Sequence, residues 1–208
     1  QPGHIISFEN PCLTERERID GEVAMKFKSF EGRLDFVFIG QLVETKGVKR
    51  VLEVFNQLRN DNRIGILHLV GDGPERLNYE AYSKANRINC IFHGFLPKTE
   101  INALLTTLHI LLLPSDSEGF PKVVAEGSNY GCIPVVSNVS SLPQYIRDNI
   151  NGFVMPSPDT EGLKYCIDKL MKFNNTDLKH IAYKAYEMGQ RFTYDFYINR
   201  IKTEILSL

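Results

Sequence analysis

The chain has 208 residues, of which 43% are hydrophobic, and it carries a formal net charge of −1. This length and composition suffice for one large globular domain with a real core. The absence of basic and acidic runs argues against a nucleic-acid partner and against a disordered charged tail.

The four cysteines are scattered and form neither a C-x-x-C pair nor a Cys/His metal spacing. Cys90 and Cys132 lie in apolar, strand-like runs, which is typical of core residues in a reducing compartment. The first 30 residues lack the basic start and apolar run of a signal peptide, and no apolar stretch approaches the roughly 20 residues of a membrane span. Because the chain starts with "QPGHIISFENPCL", we expect it to be a piece of a longer protein.

Short apolar runs alternate with longer amphipathic segments along the chain. The apolar runs predict strands at residues 35–40, 64–71, 88–94, 109–115, 132–137 and 152–156. The amphipathic segments predict helices at 46–60, 72–86, 97–108, 121–130 and 141–149, and throughout the tail from residue 158. Thr45 is the expected N-cap of the first helix, and Pro74 is expected at the first helical position of the second.

Strands that are apolar on both faces and alternate with helices predict a parallel sheet covered on both sides. We therefore predict an α/β fold with a Rossmann-like, doubly wound parallel sheet of about six strands. In such folds the ligand lies beyond the carboxyl ends of the strands. The informative residues are those that follow each predicted strand, at 40–42, 46–47, 71–74, 93–95, 115–121 and 137–138.

The loop before the helix at 121–130 is a candidate anion site. Pro121 suits the first turn of a helix, because its missing N–H would have no partner there. Free backbone N–H groups at a helix start suit a phosphate, and they belong here to Gly119, Phe120, Lys122 and Val123. The carboxylates of Glu118 and Glu126 flank this site and could accept hydrogen bonds from hydroxyls of the same ligand, as sugar rings offer. Alternatively, both are solvated surface acids near a helix start.

Lys46 could neutralise a phosphate as a point charge, or it could simply be exposed at a helix start. Neither a P-loop nor a G-x-G-x-x-G fingerprint is present. The glycine turn at 71–75 could approach a ligand or serve only as a turn. His93 ends a strand, where a histidine usually belongs to the core or its rim, and the five histidines form no cluster that predicts a metal site.

The order of these segments along the chain resembles that of a known protein family. The chain reads G-x-L-x-x-x-K-G, V-G-D-G-P, F-x-G, S-x-x-E-G-F-P-x-V-x-x-E-x-x-x-x-G-x-P-V-V and N-G-F in succession. It resembles the C-terminal half of the retaining glycosyltransferases of family 4, which have the GT-B fold. The match runs from about residue 35 to 160, and its most specific part is the pair Glu118 and Glu126 with seven residues between them.

The resemblance implies roles for individual residues. Glu118 would hold a hydroxyl of the donor sugar, Glu126 the ribose hydroxyls and Lys46 the diphosphate, with Glu118 and Lys46 as the catalytic pair. The implied nucleotide-sugar-binding set is Gly40, Gln41, Lys46, Gly71, Gly73, Phe92, His93, Gly94, Glu118, Gly119, Phe120, Pro121, Lys122, Val123, Val124 and Glu126. Within this set, the glycine turn from residue 71 and the strand end at 92–94 would border the ribose and the base.

Two departures from the family pattern stand out. The family usually has an arginine where this chain has Gln41, and glutamine lacks the charge-assisted fork of a guanidinium. Another residue such as Lys122 would then supply the second cation, or diphosphate affinity would be reduced. The other departure is size, because a GT-B enzyme needs two facing domains and the acceptor-binding N-terminal one is missing here.

The resemblance also predicts a domain organisation. Residues 1–34 would be a hinge or linker from the absent domain, and residues 35–190 the Rossmann-like nucleotide-sugar-binding domain. Residues 191–208 would be a C-terminal helix that packs on the absent domain or on this one. Its apolar candidates for such a contact are Tyr194, Phe196, Tyr197, Ile201 and Ile205.

The expected function is donor binding in a retaining glycosyltransferase that uses a UDP- or GDP-sugar, without a metal or other cofactor, in polysaccharide or glycolipid synthesis. Retention by front-side return and by an unidentified nucleophile both stay open. The expected location is the cytoplasm or the inner face of the cell membrane, with at most peripheral contact through the absent half. Isolated, the chain should be inactive. The main alternative is a non-catalytic nucleotide or sugar-phosphate binding module. A dehydrogenase is disfavoured because this chain lacks the glycine fingerprint of that class. A glycosidase with Glu118 and Glu126 as its acid and nucleophile is disfavoured because it would have no use for phosphate-binding features.

Overall fold

A computed structural model describes residues 8–119 and 122–206. A six-stranded sheet forms its centre, and all strand pairs are parallel. The strands are β1 (Leu34–Ile39), β2 (Ile64–Val70), β3 (Cys90–Gly94), β4 (Ile110–Leu113), β5 (Ile133–Ser137) and β6 (Phe153–Met155), and their order in the sheet is β3-β2-β1-β4-β5-β6. The predicted α/β class and Rossmann-like, doubly wound sheet are confirmed.

Helices cover both faces of this sheet. They are α1 (Glu15–Phe27), α2 (Val48–Leu58), α3 (Arg76–Ala85), α4 (Lys98–Thr107), α5 (Lys122–Asn129), α6 (Leu142–Tyr145), α7 (Thr160–Leu170), α8 (Asn175–Gly189) and α9 (Tyr194–Arg200). Two 3-10 turns (Glu44–Lys46 and Gln190–Phe192) and a π turn (Ile201–Ile205) complete the elements of the described residues.

Alternation along the strands divides the core into two layers. Phe36 and Phe38 of β1 pack with α2 and α7 on one face, whereas Val37 packs with α4 and α5 on the other. The strands β1, β2, β4 and β5 are largely buried on both faces, as the continuous apolar runs predict, whereas the edge strand β3 is buried only in part.

The predicted hinge segment 1–34 contains a helix, α1, that the sequence interpretation did not include. Thr14 caps it through a capping box with Glu17. The helix lies so close to α5 that a side chain at Gly21 would come within 2.4 Å of the Asn129 carbonyl oxygen. Asn129 Nδ2 also donates to the Glu17 carbonyl at 2.9 Å, so α1 is part of the same folded unit.

Two predicted helix starts are wrong. Thr45 does not cap α2, because it lies within the 3-10 turn and Gly47 is the N-cap, in the left-handed conformation with φ of 76°. Only glycine adopts this conformation readily, and a Cβ there would lie 2.1 Å from the Pro114 carbonyl oxygen. Pro74 lies two residues before the start of α3 at Arg76 rather than at its first position.

The C-terminal segment 191–208 begins inside the packed unit. Phe192 is buried, and its carbonyl accepts hydrogen bonds from the Cys12 and Leu13 amides. Farther on, Tyr197 packs edge-on against Phe8, with ring centroids 5.6 Å apart. Tyr194 and Phe196 stay 47% and 38% exposed. Contact of this exposed face with an absent domain stays a prediction.

Candidate functional site

The candidate site is a crevice at the point where the strand order of the sheet reverses. β1 and β4 are neighbours in the sheet, yet β2 and β3 come between them in the chain. The helices that follow them, α2 and α5, pack on opposite faces. Loops that leave the carboxyl ends of such strands diverge and open a crevice, and here its walls are residues 40–47 and 114–119.

Lys46 and Glu118, the two residues predicted to be catalytic, meet in this crevice. Lys46 ends the 3-10 turn after β1, and its Nζ lies 2.8 Å from Oε1 of Glu118. The side chains of Lys46 and Glu118 are 28% and 10% exposed, so water screens the pair only in part. The fold thus joins a cation and an anion that are 72 residues apart in the sequence.

A cavity of about 220 Å³ surrounds this pair. Its lining consists of Ile39, Gly40, Lys46, Leu113, Glu118, Lys122 and Val123. Lys122 is exposed at the start of α5, and its ammonium has no hydrogen-bond or ion-pair partner within the described residues. Two lysines against one glutamate give the lining an excess of positive charge, which favours an anionic ligand.

Contacts across the crevice hold the loop that carries Glu118. Arg50 of α2 donates to the Pro114 carbonyl at 2.7 Å and pairs with Asp116. The Asp116 amide donates to the Thr45 carbonyl at 2.8 Å. The Glu118 amide donates to Oγ of Ser140 at 3.1 Å. Sequence reasoning missed these supports, because nothing in the local pattern links them to the loop.

A second cavity, of about 370 Å³, adjoins the first at the end of β1. It is lined by Ile39, Gly40, Gln41, Val70, Gly71, Asp72, Phe95, Leu96 and Ile101. Ile39 and Gly40 belong to both linings, so the two cavities are parts of one crevice. The apolar side chains contributed by the β3–α4 loop suit a flat ring, such as a nucleobase. Phe95 was not among the predicted site residues. Its position directly after β3 could have identified it, because ligands lie beyond the carboxyl ends of the strands.

The glycine turn after β2 packs tightly against the loop after β1. Gly71 has φ of 126°, and a Cβ there would lie 1.9 Å from the Gly40 carbonyl oxygen. A Cβ at Gly73 would lie 2.5 Å from the Leu42 carbonyl oxygen. Gly71 lines the second cavity, whereas Gly73 serves the packing of the turn.

The end of β3 contributes less to the crevice than predicted. Phe92 packs against the core layer that holds α2 and α7. His93 stacks on His68, with Nε2 of His93 2.9 Å from Nδ1 of His68. Neither Phe92 nor His93 lines the two crevice cavities. Gly94 has φ of 68°, and its carbonyl accepts from the Gly71 amide at 2.8 Å, so it supports the glycine turn.

Glu126 lies on α5 beside α4 rather than in the lining of either crevice cavity. Its Oε1 is 3.5 Å from Nζ of Lys98, and its side chain is 22% exposed. Burial raises the pKa of Glu126, and the neighbouring Lys98 ammonium opposes that shift. Val124, also predicted as a site residue, has a buried side chain, which leaves only its amide for a ligand.

The loop before α5 is described in part. Gly119 is exposed, and no atom lies within 4 Å of a Cβ built on it, so a ligand has room to approach its backbone. Phe120 and Pro121, both predicted as site residues, lie outside the described residues. The first described residue of α5 is Lys122.

Two features are absent from residues 8–119 and 122–206. They contain no group of three or more His, Cys, Asp or Glu side chains arranged to hold a metal ion. None of their helices combines the length and apolar character needed to cross a bilayer.

Together, the switch-point crevice, the Lys46–Glu118 pair and the helix start beside it define an α/β domain of the Rossmann-like class with a ligand crevice at its centre. The chain belongs to the family described as glycosyl transferases group 1, whose model matches residues 22–188.

Proteins similar to this chain support the family assignment. WcaL of Escherichia coli strain K12, a glycosyltransferase assigned to colanic acid biosynthesis, is 26% identical over 184 residues, which cover 84% of this chain and 44% of that protein. The C-terminal domain of LpcC from Francisella tularensis superposes with a TM-score of 0.67 at 20% identity, over 87% of this chain and 93% of that domain. HepE of Anabaena, crystallised with UDP and glucose, has a TM-score of 0.72 at 17% identity, over 94% of this chain and 53% of that one.

These matches define the extent of the likeness. The solved structures are glycosyltransferases of the GT-B fold, and the chain corresponds to the C-terminal half of such a fold. The chain spans less than half the length of the curated relatives that it matches.

Proposed function

We propose that this chain is the donor-binding half of a retaining glycosyltransferase that transfers a sugar from a nucleoside-diphosphate sugar to an acceptor hydroxyl. The observation that carries this proposal is the Lys46–Glu118 pair in the switch-point crevice, 2.8 Å apart and beside the start of α5. An anion and a hydroxyl-bearing ring on one ligand would use both members of that pair. HepE, crystallised with UDP and glucose, supports this class of ligand.

The two cavities suggest how the donor would lie. The base would enter the larger cavity against Phe95 and Leu96. The diphosphate would lie in the smaller cavity, near Lys46, Lys122 and the backbone N–H groups at the start of α5. Glu118 would then accept from a hydroxyl of the sugar.

Glu126 would accept from the ribose hydroxyls, between the base and the diphosphate. This assignment needs the ribose to lie along the α4 side of the crevice, where Glu126 contacts Lys98. A carboxylate that accepts from two neighbouring hydroxyls makes charge-assisted hydrogen bonds, which are stronger than neutral ones.

The chemical step breaks the bond between the anomeric carbon and a diphosphate oxygen, and the bonding electrons pass to the diphosphate. Over the whole reaction the anomeric carbon gains a bond to the acceptor oxygen, and the proton of the acceptor hydroxyl passes to the released diphosphate or to water. The start of α5 and Lys46 would stabilise the negative charge that develops there. This role needs no metal ion, and we propose that the reaction uses none. The acceptor hydroxyl would come from the facing N-terminal half of the enzyme, so the isolated chain should bind donor without transferring sugar.

One observation favours a second candidate function. Gln41 occupies the position of the family's arginine and is exposed at the rim of the larger cavity. A chain that had lost this cation could retain nucleotide binding without catalysis. We favour the enzyme, because Lys122 adds a second cation to the cavity that holds Lys46.

Family relatives named for colanic acid and lipopolysaccharide support a role in polysaccharide or glycolipid synthesis. We propose that the full enzyme works in the cytoplasm, at or near the inner face of the cell membrane, and that any membrane contact is peripheral.

Donor binding tests the proposal directly. UDP or GDP at 100 times its dissociation constant should stabilise the chain by about 2.7 kcal/mol, which raises Tm by roughly 5–10 °C for a chain of this size. Glu126→Ala should weaken nucleotide affinity by about tenfold or more, because hydrogen bonds to charged groups contribute about 1.5–3 kcal/mol each. Glu118→Ala should leave free UDP or GDP binding nearly unchanged and reduce the preference for the matching nucleotide sugar.

Glu187→Ala is the matched control, since Glu187 forms an exposed pair with Lys184 on α8, away from the crevice. Thermal shift and calorimetry read out all of these variants. If neither UDP, GDP nor their sugars raise Tm, the proposed function is wrong.

A further inference from the structure

Lys98, in the first turn of α4, contacts three groups outside its own helix. Its Nζ donates to the Cys12 carbonyl at 2.9 Å, lies 2.7 Å from Oε1 of Glu17, and lies 3.5 Å from Oε1 of Glu126. The side chain of Lys98 is 47% exposed, whereas those of Glu17 and Glu126 are 10% and 22% exposed. One ammonium therefore serves two largely buried carboxylates on different helices.

Glu17 is a fixed anchor for this ammonium. Besides Lys98, its carboxylate accepts from the amide and hydroxyl of Thr14, at 2.8 and 2.7 Å, and from Nδ2 of Asn102 at 3.0 Å. Burial raises the pKa of Glu17, but hydrogen bonds from Lys98 and Thr14 outweigh burial and bring it to about 2. Glu17 thus stays ionised and holds Lys98 in place.

The charges around Glu126 come from four segments. Lys98 faces it from α4, Glu17 from α1, Lys122 from the first turn of its own helix, and the Cys12 thiol from the segment before α1. Burial and Glu17 favour the protonated form of Glu126, whereas the two lysines favour the carboxylate. Without Lys98, two carboxylates would face each other, and one of such a pair takes up a proton more readily.

We propose that Lys98 is a positioning residue that fixes the orientation and the charge of Glu126, so that this carboxylate can accept from the ribose hydroxyls of the donor. This inference rests on the proposed function. It makes α1 a support of the nucleotide site, although residues of α1 line neither crevice cavity.

The test is the pH dependence of nucleotide binding by the 208-residue chain. UDP and GDP are titrated between pH 5.5 and 8 into the unchanged chain and three variants, and the four affinity profiles are compared directly, because the titration of the ligand contributes equally to all of them. Lys98→Met should lose affinity mainly at low pH, with the midpoint of the loss moved upward by about one pH unit. Lys98→Arg should restore the original profile. Lys184→Met, which breaks an exposed pair on α8, should leave it unchanged.

A profile of Lys98→Met that matches the unchanged chain, or a loss of affinity equal at every pH, would overturn the inference. If this variant folds poorly, the double variant Glu126→Gln/Lys98→Met decides, because Glu17 then no longer faces a second carboxylate at position 126. It should bind as Glu126→Gln alone does, and additive losses would overturn the inference. Absence of UDP and GDP binding by the unchanged chain would overturn the proposed function and this inference together.

Discussion

Single residues determine whether the crevice can exist. Gly71 and Gly47 each allow two backbone segments to approach so closely that a Cβ would overlap a carbonyl oxygen, of Gly40 and Pro114 respectively. Both glycines also have positive φ angles, which other residues adopt at a cost. These two contacts bring the loops after β1, β2 and β4 together around Lys46.

The balance of charge in the smaller cavity gives a prediction at this scale. Lys122→Ala should weaken UDP or GDP binding by about tenfold, because a hydrogen bond to a charged group contributes about 1.5–3 kcal/mol. The loss should shrink as salt is added, since ions screen an exposed charge. Adding Gln41→Arg to this variant should restore much of the affinity, because it returns a guanidinium to the loop after β1. Calorimetry at two salt concentrations measures both effects.

Lys49→Ala provides the control, since Lys49 is an exposed lysine of α2 outside both cavity linings. Equal affinities for Lys122→Ala and Lys49→Ala would mean that Lys122 does not contact the diphosphate.

At the scale of elements, one buried lysine joins α1 to α4. Lys28 follows the last residue of α1 and is 5% exposed. Its Nζ donates to the carbonyls of Leu105, Thr106 and Leu108, at 3.0, 3.0 and 2.7 Å. These are the carbonyls that a helix end leaves without partners, and the ammonium also suits the negative end of the α4 dipole.

Lys28→Met should therefore lower the free energy of unfolding by about 3 kcal/mol, because buried carbonyls would lose their donor. Burial lowers the pKa of Lys28, so the folded chain releases this proton before the unfolded chain does as the pH rises, and the effect of the substitution should grow toward higher pH within the range where the chain stays folded. Urea unfolding provides the measurement.

The matched control for Lys28 is Lys26→Met. Lys26 forms an exposed pair with Glu22 in the last turns of the same helix, and its removal should cost less than about 1 kcal/mol. Similar losses in both variants would contradict the proposed capping role of Lys28.

The elements differ in how well the sequence predicts them. The strands and α2 carry continuous or periodic apolar residues, and their existence followed from that pattern. In α1 the buried positions are Glu17 and Gly21, which no hydrophobic pattern marks. The spacing of Thr14 and Glu17 in its capping box is a sequence signature that the prediction overlooked, whereas the contact with Asn129 is visible only after folding.

At the scale of the whole molecule, histidines couple stability to pH. Burial lowers the pKa values of His68, His93 and His109 in the folded chain below the usual 6.5. The unfolded chain therefore takes up protons first as the pH falls, so stability is full above about pH 6.5 and decreases below it. Burial raises the pKa of Glu126, which has the opposite effect on stability, because the folded chain then takes up this proton before the unfolded chain does as the pH falls.

His109→Asn should make the free energy of unfolding fall less steeply between pH 7 and 5.5. Asparagine can keep an acceptor for the Asp35 amide, which donates to Nδ1 of His109 at 2.9 Å, but it does not titrate. His180→Asn, at an exposed position of α8, is the control for the replacement of a histidine outside the core. Urea unfolding across this pH range measures both slopes, and an unaltered slope in His109→Asn would contradict the assignment.

The candidate site was predictable where position in the fold decides it. Lys46 and Glu118 both follow predicted strands, so the rule that ligands lie beyond strand ends marked both as candidates, and the family resemblance supplied their roles. Arg50 and Lys98 escaped prediction, because their roles arise from contacts with residues 64 and 86 positions away. His93 stacks on His68 of the neighbouring strand, a contact that sequence reasoning did not foresee, and its predicted place beside the nucleotide stays a prediction.

The seam between β1 and β4 divides the chain in sequence as well as in space. The strands β1 to β3 form one contiguous half of the sheet, and β4 to β6 form the other, although α1 packs on α5 of the second half. Lys46 comes from the first half and Glu118 from the second. If the chain were cut in the β3–α4 loop, each of the two fragments would carry one half of the crevice. Reassembly of the crevice would then show that the fragments had associated, without any added reporter group.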